Sequence, residues 1–273
     1  MDEIKKINYD ELKAIAAQHN FGTDLMLKDY YVTLVLYLLK DVQGIYFKGG
    51  TALQKIFLNY ARLSEDADFT VTGDVSKIKE VIAQTLKDSK TFSTITYDKD
   101  VEGFIRIVAH FTNFSGREDT VFVDLNQRAK LIQKSERYEI IHFCDGYIPT
   151  FSVNTLARDE MFAEKMAATV GRNRPRDHYD VYTIIKAGLP INIELVKQKC
   201  IELVKQKCRQ SGTEFDITRM FSRAKALKNR WETDMVPLLA KEVPFEEVMK
   251  TLAAHFKLKE VKEERRKSRS ADK

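Results

Sequence analysis

The sequence predicts an α+β protein. Runs rich in Val, Ile, Phe and Thr fill its first half, at residues 92–97, 104–112 and 120–125. Apolar residues at helical spacing take over from about Leu156. Between residues 45 and 72 a short strand, a Gly-Gly pair, a helix and a second strand follow one another. Strands first and helices afterwards suit an α+β domain followed by a helical one. The expected domains are 1–150 and 151–273.

Taken in order, residues 9–20 and 24–39 read as helices. The run Ile45-Tyr46-Phe47 is a strand that ends at Gly49-Gly50. Thr51 as N-cap and Gln54 at N3 match a capping box, and the helix behind them turns Leu53, Ile56, Phe57 and Tyr60 inward. Residues 66–72 form a strand and 75–86 a helix. After 156, helices are expected at 158–170, 176–187, 193–209, 217–229 and 245–256, with Gly171, Gly188 and Pro190 as stops. Residues 193–200 and 201–208 repeat the same octapeptide, I-E-L-V-K-Q-K-C. Eight residues are close to two helical turns, so the duplication suits one lengthened helix.

Composition narrows the class. With 44% hydrophobic and 31% charged residues in 273, the chain is globular and large enough for a real core. The first residues carry acids and no apolar stretch, so no secretory leader is expected. The longest apolar run, 30–39, is far shorter than the ~20 residues a membrane span needs. Cys144, Cys200 and Cys208 form no CxxC pair, and the five histidines show no zinc spacing. A reducing, cytoplasmic setting is expected. The net charge of +5 sits mostly in the tail: residues 257–273 hold eight Lys/Arg against four Asp/Glu. The rest is nearly neutral, so contact with nucleic acid has to rest on local patches or on that basic tail.

The chemistry gathers around 47–69. Asp66 and Asp68 are i and i+2 on a strand, so both side chains leave the same face, ~6.7 Å apart along the chain. Carboxylates so spaced suit divalent cations and phosphoryl transfer, or else a solvated strand edge. Ser64 faces the same way if the extended backbone starts that early. Gly49-Gly50, ending a strand before a helix, is either an ordinary turn or an anion nest of backbone N–H groups, flanked by Lys48 and Thr51. No GxxxxGK[ST] loop is present. Asp124, in V-F-V-D-L-N, is costly in an apolar strand unless paired or metal-bound. It would complete a carboxylate triad if its strand lies beside that of Asp66 and Asp68. Farther on, Lys165 lies on a helix, Arg172, Arg174 and Arg176 crowd a turn, and Asp177 and Asp180 share a helix face. These charges either neutralise a polyphosphate or pair with each other.

F-K-G-G-T-A-L-Q-K followed by R-L-S-E-D-A-D-F resembles the AbiEii/AbiGii-type nucleotidyltransferase toxins, a branch of the DNA polymerase β-like superfamily. That superfamily's pattern is hG[GS], a short helix, then DhDh; Gly49-Gly50 and Asp66-Ala67-Asp68-Phe69 fill it. Lys28-Asp29-Tyr30 is similar to the family's lead-in, and the match runs in order from about 28 to 186. The resemblance implies a polymerase-β-like nucleotidyltransferase sheet with helices in the first domain. It also implies NTP binding, Mg²⁺ and transfer of a nucleotide to an acceptor, which in such proteins can be tRNA. A toxin role opposed by a cognate antitoxin, in abortive infection and antiviral defence, follows with it.

The residues expected to carry this are Asp66, Asp68 and Asp124 as metal ligands, with Lys165 and Asp177 also in the reaction. Lys48, Gly49, Gly50, Thr51, Ser64, Arg176 and Asp180 are expected at the NTP. Between Asp177 and Asp180 the motif does not choose the acting acid, and Asp177 is favoured. Two other classes stay open: a non-catalytic nucleotide-binding module acting through its helices, and a transferase that modifies a protein or small-molecule hydroxyl.

Overall fold

The computed structural model describes residues 4–172, 174–189 and 199–256. Two compact units emerge: one runs to Met161 and takes in Pro237–Lys241, and the other is Phe162–Val236 with the residues from Glu242 on.

In the first unit, α1 (Tyr9–Gln18) starts at a capping box in which Asn8 and Glu11 satisfy each other's backbone N–H groups. The apolar run of 30–39 lies in α2 (Thr23–Leu39), most of which is buried. Then come β1 (Ile45–Lys48), α3 (Gly49–Ala52), β2 (Asp66–Val71) and α4 (Val75–Asp88), the last N-capped by Asp74. The strands β3 (Thr94–Val101), β4 (Phe104–Thr112), β5 (Glu118–Asn126), β6 (Glu136–Glu139) and β7 (Ser152–Thr155) complete it. The seven strands form one mixed sheet in the order β3-β4-β5-β2-β1-β7-β6.

Alternation along the strands sorts the two faces. Phe47, Ala67, Phe69, Ile105, Ile107, Val123 and Leu125 are buried on one. There α2 packs down, with Tyr31 stacked on Phe111 at 3.7 Å between ring centres. Each such large apolar side chain contributes roughly 1.5–3 kcal/mol by leaving water. The other face carries Lys48, Asp66, Asp68, Asp124 and Arg106. The edge strand β3 holds Asp98, Lys99 and Asp100, charges that discourage pairing with another chain.

Two local expectations need correction. The capping box at Thr51 does not form, because the helix already starts at Gly49, with Lys48 in the cap position. It then widens into a π-helical turn over Leu53–Phe57, closed by the bond from Leu58 N–H to the Leu53 carbonyl (2.9 Å). The helix expected at 217–229 breaks into a 3-10 turn, Ile217–Phe221, and α8 (Ala224–Asn229), since the Met220 carbonyl is bonded to His178 Nε2 (2.7 Å). β6 and β7 were not anticipated.

The second unit holds most of α5 (Arg158–Gly171), then α6 (Pro175–Lys186), α7 (Lys199–Gln210), α8, α9 (Trp231–Asp234) and α10 (Phe245–His255). The second octapeptide copy lies in α7; residues 193–198 of the first and the basic tail 257–273 fall outside the described residues. Among the described residues no helix is long and apolar enough to cross a membrane.

Candidate active site

β1 and β2 run antiparallel, so the end of one lies beside the start of the other, and Lys48 stands opposite Asp68. The chain leaves β1 through Gly49 at φ +81°. A Cβ on Gly49 would collide with the Asp68 carboxylate. Asp68 is therefore aimed at the glycine bend, and the bend has no side chain because the carboxylate occupies that space. Asp66, two residues earlier, leaves β2 on the same face.

The hydroxyl of Thr51, inside α3, ties the bend to the segment entering β2. It is hydrogen-bonded to Ser64 Oγ (2.9 Å) and to the Asp66 carbonyl (2.5 Å). Buried Arg62 donates to the Leu63 carbonyl (2.8 Å), and its own backbone N–H is taken by the Gln54 side chain (3.2 Å). Gln54, expected to cap a helix, thus braces this crossing instead.

β5 lies parallel to β2 and places Asp124 directly opposite Asp68, as the triad requires. The carboxylate is nevertheless engaged: Arg106 on β4 donates through Nε and Nη2 to its two oxygens, both at 2.7 Å. Asp124 raises the Arg106 pKa through these bonds, and Asp66 and Asp98 add to the effect. Among the described residues no three His, Cys, Asp or Glu side chains gather as metal ligands. Asp66 and Asp68, two residues apart on β2, are neighbouring hard oxygen donors. That set fits Mg²⁺, which is commonly held by one or two carboxylates with water and substrate phosphates in the other positions.

A buried cluster behind the bend went unread in the sequence. Lys55, in the π-helical turn, has no exposed surface. Its Nζ meets Asp29 Oδ1 (2.7 Å), Thr33 Oγ1 (2.9 Å) and the Tyr60 hydroxyl (2.6 Å). The Tyr60 hydroxyl also reaches Asp29 Oδ2 (3.1 Å). Burial lowers the Lys55 pKa and Asp29 opposes the shift; burial drives that of Tyr60 well up. Asn59 and Tyr60 both have positive φ, 45° and 57°. Such strain persists where the surroundings over-determine it, and the buried Tyr60 hydroxyl supplies that constraint. The lead-in Lys28-Asp29-Tyr30 thus contains an anchor for the segment after the glycines.

In the second unit Lys165, Arg172, Asp177 and Asp180 come together. Lys165 Nζ lies 3.1 Å from Asp177 Oδ1 and 2.9 Å from Asp180 Oδ2. Arg172 adds two bonds to Asp177, at 2.8 and 2.9 Å. Burial pushes the Asp177 pKa up, but Lys165 and Arg172 outweigh it and hold the carboxyl well below the usual range. These charges pair with one another, one of the two arrangements the sequence allowed. Arg174 is exposed and Arg176 half-buried, outside that cluster.

A cavity of about 1110 Å³ in the first unit lies elsewhere: Tyr30, Tyr31, Tyr37, Phe92 and Phe114 line it, and none of the motif carboxylates does.

Comparison with known proteins agrees with this fold. MenT4, a nucleotidyltransferase toxin from Mycobacterium tuberculosis H37Rv, superposes with a TM-score of 0.68 at 22% identity, over 92% of this chain and 89% of that one. JHP933 from Helicobacter pylori gives 0.55 at 16% identity, over 93% and 100%. At these identities the likeness speaks for the fold. No curated protein sequence matches the chain. The family model described as nucleotidyl transferase AbiEii toxin, type IV TA system, matches residues 37–251. With that model spanning most of the chain and the fold in agreement, the chain belongs to the AbiEii family of nucleotidyltransferase toxins of toxin–antitoxin systems.

Proposed function

We propose that this nucleotidyltransferase toxin acts in the cytoplasm, moving a nucleotide from an NTP to an RNA acceptor with Mg²⁺, and that tRNA is the acceptor. A cognate antitoxin opposes it, and defence against phage is the setting the family resemblance suggests. The observation that carries the reading is the Asp68 carboxylate set against a side-chain-free bend at Gly49.

Asp66 and Asp68 would hold Mg²⁺, which when bound offsets the charge of the triphosphate. The first N–H groups of α3, which a helix leaves unpaired, are the donors for phosphate oxygens. Thr51 and Ser64 fix the bend against the start of β2, and Lys48 adds a cation beside Asp68. An acceptor hydroxyl attacks the α-phosphorus, its new O–P bond replaces the bond to the β-phosphate oxygen, and pyrophosphate leaves. The hydroxyl proton goes to water or to a carboxylate of the same face. For Lys165, Asp177, Asp180 and Arg176 a part in the reaction is proposed on the family resemblance alone. Positioning and electrostatics supply most of the rate in such transfers.

The test is incubation with each labelled NTP, Mg²⁺ and bulk RNA, with protein and small hydroxyl acceptors in parallel. Label is expected in RNA, in the tRNA fraction. Label confined to protein or small molecules overturns the acceptor. Expression of the wild type is expected to arrest growth.

Gly49→Ala checks the bend. A left-handed non-glycine residue costs about 1–2 kcal/mol, and here the added methyl also displaces Asp68. Transfer is expected to fall at least about tenfold, a displacement of the carboxylate of order 1 Å being enough. Gly73 also has positive φ, +91°, but open space around it. Gly73→Ala should therefore lower Tm similarly and leave transfer intact. Equal activity of the two variants would separate the bend from the chemistry.

A further inference from the structure

A row of charged residues crosses five strands in register. Lys48 on β1 faces Asp68 on β2, Asp68 faces Asp124 on β5, Asp124 faces Arg106 on β4, and Arg106 faces Lys99 on β3. The glycine bend is at the β1 end. At ~4.8 Å per strand, Arg106 stands roughly 10 Å beyond Asp68 on the side away from the bend. A triphosphate seated at the bend and at Asp66–Asp68 leaves this far side to the acceptor.

Arg106 is held from two sides. Asp124 takes Nε and one Nη2 proton in a bidentate pair. The guanidinium lies over the Phe122 ring, 4.7 Å from its centre. Its Nη1 points towards exposed Asp98 at 3.7 Å, longer than a hydrogen bond. The planar group is thus fixed on two sides, with N–H donors left over. Exposed Lys99 is its cross-strand neighbour, and half-buried Phe122 offers an aromatic surface on the same face. An arginine held in one plane, a second cation and an aromatic ring suit a phosphodiester and an adjacent base. Asp98 is the opposing charge there.

We propose that Arg106 contacts a backbone phosphate of the acceptor RNA, and that Asp124 is the residue that positions Arg106 rather than a third metal ligand. This deepens the proposed function and rests on its RNA acceptor.

The experiment compares wild type with Arg106→Ala, Arg106→Gln, Arg106→Lys and Asp124→Asn, each checked by thermal melting. Binding of a fluorescent single-stranded RNA ending in a free 3′ hydroxyl is followed by anisotropy over a salt series. KM is measured separately for NTP and for RNA. Loss of Arg106 should weaken RNA binding about tenfold and lower the salt slope by about one. KM for RNA should rise while KM for NTP stays within about twofold, and Arg106→Lys should recover part of the loss. Asp124→Asn should behave like Arg106→Gln, with the Mg²⁺ requirement unchanged. Unchanged RNA affinity and salt slope in both Arg106→Ala and Arg106→Gln would overturn the proposal. So would an Asp124→Asn protein that needs much more Mg²⁺ yet binds RNA normally. A wild type that neither binds nor labels RNA would instead remove the acceptor reading itself.

Discussion

Asp68→Ala is expected to lower nucleotide transfer on the order of a thousandfold, with little change in fold. Removing a single preorganised group that stabilises transition-state charge costs 10²–10³ or so in rate. Asp68 serves two such needs: it faces the glycine bend, and with Asp66 it is one of the two β2 carboxylates proposed to hold the cation. Asp68→Asn keeps the shape and loses the charge, so its deficit should approach that of the alanine. Asp66→Ala should match it. Label incorporation under saturating NTP measures the effect, and growth arrest on expression should vanish in the same variants. A half-buried position on an otherwise intact strand predicts only a small shift in Tm. Transfer by Asp68→Asn within a few-fold of wild type would remove the carboxylate from the mechanism.

Breaking the Lys55–Asp29 pair should give the largest loss of stability. Both side chains are almost fully buried, and their charged atoms are 2.7 Å apart. Removing one partner of a buried pair leaves an uncompensated charge, at a cost of about 3–5 kcal/mol. For a unit of this size that is a fall in Tm on the order of 10 °C. Lys55→Met and Asp29→Leu should each show it. Together they should cost much less than their sum, since neither charge is then stranded. Urea or thermal unfolding of the three variants forms the double-mutant cycle. Because Lys55 anchors the turn just after the glycines, the single variants should also transfer more slowly. Additive losses in the cycle would mean that the two side chains do not act as a unit.

Short-range pattern was enough to place the centre of the proposed site. Asp66 and Asp68 had to share a face because strand side chains alternate. Gly49 had to be a bend because it ends a strand and opens a helix. β4 was legible to the residue, since its run of β-branched and aromatic residues leaves little choice. Pairing across the sheet was not legible. The link between Asp124 and Arg106 depends on β5 lying between β4 and β2, an order that follows from the whole fold. A clue existed: Arg106 interrupts F-I-R-I-V as Asp124 interrupts V-F-V-D-L, and two lone opposite charges in apolar strands invite pairing. The Lys55–Asp29 contact joins residues on different helices, through a π-helical turn that shifts the face Lys55 presents. Four-residue strands such as S-V-N-T carry too little alternation to be told from a loop.

The most direct measurement is a crystal structure with a non-hydrolysable NTP analogue and Mn²⁺, located by its anomalous signal. An anomalous peak is expected at bonding distance from Asp66 and Asp68, with the triphosphate against the Gly49–Gly50 backbone. A nucleotide bound elsewhere, or a metal ion that touches neither carboxylate, would contradict it.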